Sequence, residues 1–230
     1  MKIQRKDSAD TRHRLLEAAA ECFAKAGFKD TTIAEICEKA GTNVASVNYH
    51  FGDKESLYKE AWRHSFRESL LVHPPDGGVL GNASPQDRLR GRISAMLQRC
   101  MDAKCMEFRI MSKEIANPTG LLREVVHEAI MPLRRDMDLI LRELLGERVP
   151  DICVHLCATS VIGQCMHLMH MRRVRKTLGY DLPCDGKEFD QLVDHFTRFS
   201  LAGIAAVREH CERVAVSPNS RTDRAGEDRD

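Results

Sequence analysis

The sequence predicts an all-α protein. Apolar residues recur every three or four positions along most of the chain, and the alternating β-branched runs typical of strands are missing. Glycine and proline cluster at a few breaks between these stretches. With 230 residues, 43% of them hydrophobic, the chain is long enough to bury a sizeable core. We expect a three-helix helix-turn-helix unit at the N-terminus, followed by a larger helical domain.

Composition and charge narrow the class of protein. A net charge of +1 does not by itself indicate a nucleic-acid partner. No run approaches the roughly 18–20 apolar residues of a membrane span, and the N-terminus lacks a signal peptide's apolar stretch, so we expect a cytoplasmic protein. The nine cysteines include no CxxC pair and no zinc-finger spacing, which predicts free thiols.

The first helix is predicted to run from about Ser8 or Asp10 to Ala26, where Gly27 ends it. Its inner face consists of Leu15, Leu16, Ala19, Cys22, Phe23 and Ala26. Basic residues precede or open this helix, namely Lys2, Arg5, Lys6, Arg12 and Arg14. They form either a flexible arm that contacts phosphates or a minor groove, or a solvated terminus.

The next two helices are predicted from their caps. Thr32 and Glu35 have capping-box spacing, so a helix should begin at about Thr32. Its apolar face is formed by Ile33, Ile36, Cys37 and Ala40. Gly41 ends this helix, and a three-residue turn leads into a short third helix, Val44–His50.

The outer face of the third helix has an unusual composition. Val47 and Phe51 are spaced to pack inward. The remaining residues face solvent or a partner, and they are Val44, Ala45, Ser46, Asn48, Tyr49 and His50. A face of small, amide, phenol and imidazole groups without formal charge suits base edges and phosphates in a major groove.

The segment Gly41–Lys54, GTNVASVNYHFGDK, resembles the recognition helix and following turn of the TetR family of transcriptional regulators. The resemblance extends back through Thr31, Thr32, Ile33, Ile36 and Ala40. It implies base contacts by Val44, Ala45, Ser46 and Asn48. It also implies contacts by Thr42 in the turn, and phosphate contacts by Thr32, Tyr49, His50 and Lys54.

Two alternatives remain for these positions. Each side chain can be an ordinary surface residue, and His50 can be a capping or packing histidine. Asn48 stands where many family members carry an aromatic residue, and an asparagine can itself read adenine with two hydrogen bonds.

Six further helices are expected. A fourth begins near Asp53 and ends before His73-Pro74-Pro75, with Trp62 as a core anchor. The glycines of loop 73–84 do not match a phosphate-binding loop. The later helices are Pro85 to about Ala103, a sixth ending at Ala116, Asn117-Pro118 to Leu145 with a kink at Pro132, Pro150–Lys176 and Lys187–Arg213.

Four regions follow from this reading. Residues 1–53 are the N-terminal arm and DNA-binding domain, and 54–72 are a connecting helix. Residues 73–213 form a ligand-binding and dimerisation domain, and 214–230 are a disordered tail. The segment Lys113–Thr119, with Pro132 downstream, resembles the ligand domain of one TetR subgroup.

Helices eight and nine are predicted to form a homodimer. Their apolar faces are too wide for helices covered on one side, and Ala202-Gly203 would let two backbones approach. Two helices from each subunit would make a symmetric four-helix bundle. The alternative is that both helices belong only to the core.

A small-molecule cavity is expected among helices five to eight. Its candidate lining residues are Met96, Cys100, Met101, Met106, Phe108, Met111, Val126, Ile130, Cys157, Val161 and Cys165. Ten methionines in the chain favour an adaptable apolar pocket, although each of these residues can simply fill the core. No cofactor is predicted.

The sequence therefore predicts a homodimeric repressor that a small molecule releases from a palindromic operator. Helix eight offers an alternative, because Cys153 and Cys157, and likewise His167 and His170, lie one turn apart and could sense a soft metal or an oxidant. An enzyme is a remote alternative, since HExxH, GxSxG and P-loop motifs are missing. The balanced charge argues against a non-specific DNA-packaging protein.

Overall fold

The protein, in a computed structural model, is described over residues 2–179 and 186–216. The side chains of residues 2–6, 170, 172–177 and 216 are not part of this description. Residues 214–216 of the predicted disordered tail are helical, and the rest of that tail, 217–230, lies outside the described residues. The described residues form helices and no strand, as predicted. The helices are α1 Lys2–Ala26, α2 Ile33–Ala40, α3 Val44–Phe51, α4 Lys54–Val72, α5 Pro85–Met101, α6 Met106–Ala116, α7 Arg123–Leu145, α8 Asp151–Leu178 and α9 Lys187–Val216.

The predicted start of the first helix was wrong. Helix α1 begins at Lys2 rather than at Ser8 or Asp10, because no glycine or proline interrupts the chain before Ser8. The basic residues at the start therefore extend a helix instead of forming a flexible arm. Apart from the start of α7, the other predicted helix ends agree with the structure to within three residues.

The described residues through Pro75, together with Ala95–Arg134, form one compact unit, which we call unit 1. Here α1 packs against α2, α4 and α6 around a single buried cluster. The largest side chains of this cluster are fully buried, and they include Leu15, Phe23, Ile36, Leu57, Tyr58, Trp62 and Ile110. Burying each of them contributes about 1.5–3 kcal/mol, so the helix-turn-helix rests on an extensive apolar base.

A buried carboxylate explains why the predicted start of α7 at Asn117 was wrong. Glu114 accepts hydrogen bonds from Tyr58 Oη at 3.0 Å and from the backbone N–H groups of Thr119 and Gly120, each at 2.9 Å. The segment after α6 therefore turns over this carboxylate, and the helix begins only at Arg123. Burial and the negative charge of Glu114 raise the pKa of the Tyr58 hydroxyl.

Unit 2 consists of Asp76–Ser94 and the described residues from Arg135 onward. Its loop lies against α5 at one close contact, where a Cβ added to Gly91 would sit 2.2 Å from the carbonyl oxygen of Asp76. Gly77, on the other side of this contact, has a φ of +63°. The loop glycines thus serve backbone packing, because neither position has room for a side chain.

Helices α8 and α9 pack on each other through buried residues that include Val161, Cys165, Val193 and Ile204. They also leave large apolar side chains exposed, including Ile152, Leu156 and Phe199. The stretch Asp151–Met169 of α8 has a mean hydropathy of 1.5, and only 28% of it is buried. Contrary to expectation, this stretch has the length and composition of a membrane span, a test that core helices of globular proteins also pass.

Candidate nucleic-acid interface

The helix-turn-helix begins with the predicted capping box. The backbone N–H and the hydroxyl of Thr32 both donate to Glu35 Oε2, at 2.8 and 2.9 Å, and the hydroxyl accepts from the backbone N–H of Glu35 at 3.2 Å. These bonds hold the pKa of the Glu35 carboxyl below its usual range. Thr32 is exposed and could face a phosphate. Its hydroxyl has only one hydrogen, however, and could donate it to a phosphate only by giving up the bond to Glu35.

The turn is built on Gly41, as predicted. Gly41 has φ 63° and ψ 45°, and its N–H bonds to carbonyls of the preceding helix turn. The N–H of Thr42 donates to the carbonyl of Cys37 at 3.0 Å, and Arg14 Nη1 donates to the carbonyl of Ala40 at 2.8 Å. These bonds satisfy the C-terminal carbonyls of α2 and fix the direction in which the chain leaves it.

Hydroxyl and amide groups fix the start of α3. Asn43 Oδ1 accepts from the backbone N–H of Ser46 at 3.1 Å and from its hydroxyl at 3.2 Å. Thr42 Oγ1 donates to Ser46 Oγ at 2.8 Å. Thr42 and Ser46 are both half-buried, so they hold the helix entry in place as well as lying on the predicted DNA-binding surface.

The outer face of α3 is exposed at four of the six positions that the pattern placed outward, whereas Ser46 and His50 are half-buried. Val47 is fully buried and Phe51 is half-buried against the core. Tyr49, in contrast, is 80% exposed, and Val44 is 47% exposed. Ala45 and Asn48 are also exposed. One turn of helix therefore carries small, amide and phenol groups outward from a fixed base.

His50 and Lys54 lie at the end of this face. The His50 ring is half-buried and meets the ring of Tyr49 edge-on, with centroids 4.9 Å apart. Burial, followed by the positive charge of Arg12, lowers the pKa of His50, so its imidazole is neutral at pH 7. Lys54 Nζ lies 4.5 Å from the centroid of the Phe28 ring, which holds this cation at the N-terminus of α4.

Arg12 and Arg14, predicted as part of a basic arm, are instead engaged within unit 1. Arg12 Nη2 donates to Glu60 Oε2 at 3.2 Å, and its guanidinium lies 5.1 Å from the centroid of the Phe51 ring. Arg14 holds the carbonyl of Ala40. The partners are 48 and 26 residues away along the chain, so no local pattern could have revealed them.

The predicted pocket residues are divided between the two units. Unit 1 contains Met96, Cys100, Met101, Met106, Phe108, Met111, Val126 and Ile130, and unit 2 contains Cys157, Val161 and Cys165. Ile130 is 43% exposed on the surface of α7. A cavity of about 520 Å³ in unit 1 includes Met106, and one of about 390 Å³ in unit 2 includes Cys157. The other nine residues do not line these two cavities.

The sequence reading missed a buried polar cluster in unit 1. Arg99 Nε donates to Ser69 Oγ at 3.0 Å, and Arg99 Nη2 donates to Glu107 Oε1 at 3.1 Å. All three residues are buried, and burial raises the pKa of Glu107. The three residues come from three different helices, so spacing along the chain carries no signal of the cluster.

The helix-eight cysteines have a partner that the sequence reading did not identify. Cys153 Sγ lies 3.7 Å from the Sγ of Cys211 on α9. Cys157 lines the same 390 Å³ cavity as these two thiols. His167 is exposed, and the side chain of His170 lies outside the described residues.

Comparisons with known proteins cover most of the chain. Residues 15–61 match the family described as bacterial regulatory proteins, tetR family. Residues 85–204 match the family described as HTH-type transcriptional dual regulator CecR, C-terminal domain. The HTH-type transcriptional regulator BetI from Burkholderia ambifaria is 30% identical over 84 residues, which span 36% of this chain and only 43% of that protein.

Solved structures share the fold. The fatty acid degradation regulator FadR from Bacillus halodurans gives a TM-score of 0.63 at 16% identity, covering 84% of this chain and 95% of FadR. A transcriptional regulator from Rhodococcus sp. Rha1 gives a TM-score of 0.62 at 17% identity, covering 84% of this chain and 95% of that one. With a matching helix-turn-helix and a matching C-terminal domain, the chain belongs to the TetR family of DNA-binding transcriptional regulators.

Proposed function

We propose that this chain is a homodimeric cytoplasmic repressor that binds a palindromic operator and is released by a small molecule. The observation that carries the proposal is the outer face of α3, where an exposed Tyr49 and Asn48 stand on a helix anchored by the buried Val47. A recognition helix needs this combination, because a rigid base is what gives its side chains a defined register on DNA.

The proposed contacts follow from where the groups lie. Val44, Ala45, Ser46 and Asn48 would meet base edges, and Thr42 would lie beside them. Tyr49, His50, Lys54 and Thr32 would contact phosphates. Burial and Arg12 lower the pKa of His50 in the free protein, so His50 would offer a neutral hydrogen-bonding group at pH 7 and a positive charge only where binding to phosphate protonates it.

A dimer is supported by the exposed face of α8 and α9. Leu156 and Phe199 are 58% and 63% exposed, which is costly for a face that stays in water. A Cβ at Gly163 or Gly203 would meet no atom within 4 Å among the described residues, so the chain itself does not need glycine there. Small residues beside exposed apolar ones fit the close approach of a second copy's helices.

The effector we propose is an apolar small molecule. Four methionines of unit 1 are half-buried, namely Met96, Met101, Met106 and Met111. Half-buried methionines make adaptable apolar surfaces. FadR, which has the same fold, is a regulator of fatty acid degradation, and this description agrees with an apolar effector for this chain.

We propose the following functional regions: residues 1–53 bind DNA, residues 54–72 form the connecting helix, and residues 73–213 bind the ligand and dimerise.

In this mechanism the ligand-free dimer holds its two recognition helices about one DNA turn apart. A ligand that binds more tightly to a conformation in which the two recognition helices are spaced differently shifts the population away from the DNA-binding conformation. Helix α4 would transmit this change to the helix-turn-helix. The required coupling is modest, since about 1–3 kcal/mol changes operator affinity five- to 150-fold.

The test is a footprint of the purified protein on DNA upstream of its own gene, with random competitor at near-physiological salt. We expect a protected palindrome that disappears when the recognition face is altered by Asn48→Ala together with Tyr49→Ala. Protection that is unchanged in this double variant would contradict the assignment of α3, because both side chains are exposed and removing them leaves the core intact.

A second candidate function is redox sensing, favoured by the 3.7 Å separation of Cys153 Sγ and Cys211 Sγ. A peroxide would oxidise the two thiols to a disulfide and would itself be reduced to water. The expected product is 2 mass units lighter, by loss of two hydrogens, and Cys153→Ser should prevent its formation whereas Cys165→Ser should not. Operator affinity that is unaffected by the disulfide would exclude a sensing role.

A further inference from the structure

Three side chains that can bind metals converge in unit 1. His73 follows α4, and Asp102 and Cys105 lie in the turn between α5 and α6. A ring nitrogen of His73, a carboxylate oxygen of Asp102 and the Sγ of Cys105 all lie within 4.8 Å of one another. His73 Nε2 is 2.9 Å from Asp102 Oδ2, so a proton now occupies the space between two potential ligand atoms.

We propose that His73, Asp102 and Cys105 form a binding site for a divalent transition metal of the zinc type. One nitrogen, one oxygen and one sulfur ligand are the donor set that Zn²⁺ accepts, with water as a fourth ligand. In a tetrahedral site with metal–ligand distances of about 2.0–2.3 Å, ligand atoms lie roughly 3.3–3.8 Å apart. His73 Nε2 and Asp102 Oδ2, at 2.9 Å, would have to separate slightly, and no pair of ligand atoms is farther apart than 4.8 Å, so only small side-chain adjustments are required.

The turn already orients the ligands. The backbone N–H of Lys104 donates to Asp102 Oδ1 at 2.8 Å, which leaves Oδ2 directed towards His73. The backbone N–H of Cys105 donates to the carbonyl of Asp102 at 3.1 Å and holds the two residues in one tight turn. Cys105 is the N-cap of α6, yet it makes no side-chain capping bond within the described residues. Hydrogen bonds that orient ligands, like those from the N–H groups of Lys104 and Cys105, typically strengthen metal binding.

The charges around the site balance when a divalent metal is bound. Glu107 is 2% exposed, and its Oε2 has no hydrogen-bond partner among the described residues. Its Oε1 accepts from Ser69 Oγ at 2.5 Å and from Arg99, so Arg99 balances Glu107. Asp102 and a Cys105 thiolate would then balance the two charges of the metal, which makes the loaded site neutral. This inference does not depend on the proposed DNA operator or effector.

The first experiment uses the full-length protein after treatment with a chelator. Co²⁺ is titrated in and thiolate-to-cobalt absorption is recorded, followed by displacement with Zn²⁺ and a metal count per chain. We expect one metal per chain, with the absorption lost in Cys105→Ser and kept in Cys157→Ser and Cys211→Ser. No such absorption in the folded wild type would overturn the proposal, as would absorption kept in Cys105→Ser but lost in Cys157→Ser or Cys211→Ser.

Asp102→Asn tests the site without depending on Cys105. An asparagine keeps an oxygen for the Lys104 N–H and can still hydrogen-bond to His73, but it removes the ligand's charge. We expect this variant to keep the wild-type melting temperature in chelator and to bind Zn²⁺ about tenfold more weakly or worse. Unchanged Zn²⁺ affinity would mean that Asp102 is only a hydrogen-bond partner of His73, and the metal site would be rejected.

Discussion

The outer face of α3 and the exposed face of α8 and α9 are both open to solvent, but they differ in chemistry. On α3 the exposed groups are small or polar around Tyr49, and hydrogen bonds fix the helix at both ends. On α8 and α9 the exposed groups include Leu156 and Phe199, with glycines beside them. A surface with polar groups at fixed positions suits hydrogen-bonded readout, whereas a broad apolar surface suits permanent burial against protein.

This contrast suggests that the two surfaces depend on different parts of the chain. The described hydrogen bonds that shape the turn of the helix-turn-helix are made within unit 1, so the helix-turn-helix needs no second copy of the chain to form. The face of α8 and α9 is incomplete by itself, because its apolar groups have no cover within the described chain. Variants of each surface should therefore act on different properties, and the largest effect is expected on the face of α8 and α9.

Phe199→Glu should convert the proposed dimer to a monomer. A carboxylate on the apolar face would have to be buried in the interface without a partner, and operator affinity should fall on the order of 100-fold because one half-site is lost. Sedimentation and operator titration measure the two effects. Leu80→Glu is the matched control, since Leu80 is 73% exposed in a loop of unit 2. A Phe199→Glu protein that stays dimeric would show that the face of α8 and α9 is not the interface.

Tyr49→Ala should weaken binding to all duplexes about tenfold while leaving the dimer and the melting temperature unchanged. The ring is 80% exposed, so its removal leaves no cavity, and a phosphate contact carries no sequence information. Asn48→Ala is the companion variant, and it should alter the preference at one position of each half-site instead. Full affinity in Tyr49→Ala would remove Tyr49 from the interface.

Thr32→Ala should lower the free energy of unfolding by about 1 kcal/mol, because α2 loses its capping box. Thr32→Ser keeps the hydroxyl and should restore most of that stability. Urea unfolding of the three proteins provides the measurement. If Thr32→Ser is as unstable as Thr32→Ala, the methyl group rather than the cap is responsible.

The smallest expected effect is a pH dependence at His50. Burial and Arg12 lower the pKa of His50 in the free protein, and neighbouring phosphates would raise it in the complex. Binding therefore takes up a proton, and operator affinity should rise a few-fold as the pH falls through about 6.5 and below. His50→Gln should flatten this part of the profile. A rise that persists in His50→Gln would place the responsible group elsewhere.

The features that the sequence predicted well are local. The capping box of Thr32 and Glu35, the αL turn at Gly41 and the inward Val47 each follow from residues within about one helical turn. The features it missed depend on distant partners. Glu114, whose bonds to Thr119 and Gly120 delay the start of α7, also accepts a hydrogen bond from Tyr58, which lies 56 residues away. Lys54 likewise lies over the ring of the distant Phe28.

The candidate metal ligands illustrate the same limit. Asp102 and Cys105 are close in the sequence, but the third ligand, His73, comes from another helix end, 29 residues before Asp102. Spacing rules recognise sites whose ligands lie in paired motifs, and this set has none. Only packing of the end of α4 against the α5–α6 turn brings the three groups together.

The most direct test of the central claim is selection of bound sequences from random duplexes by the purified full-length protein. We predict an enriched motif with two inverted half-sites, centred about one DNA turn apart, and no symmetric motif for Phe199→Glu. The account would be contradicted if the folded, dimeric wild type enriched no symmetric sequence and bound all duplexes with the same affinity. In that case α3 would not recognise the half-sites of a palindromic operator.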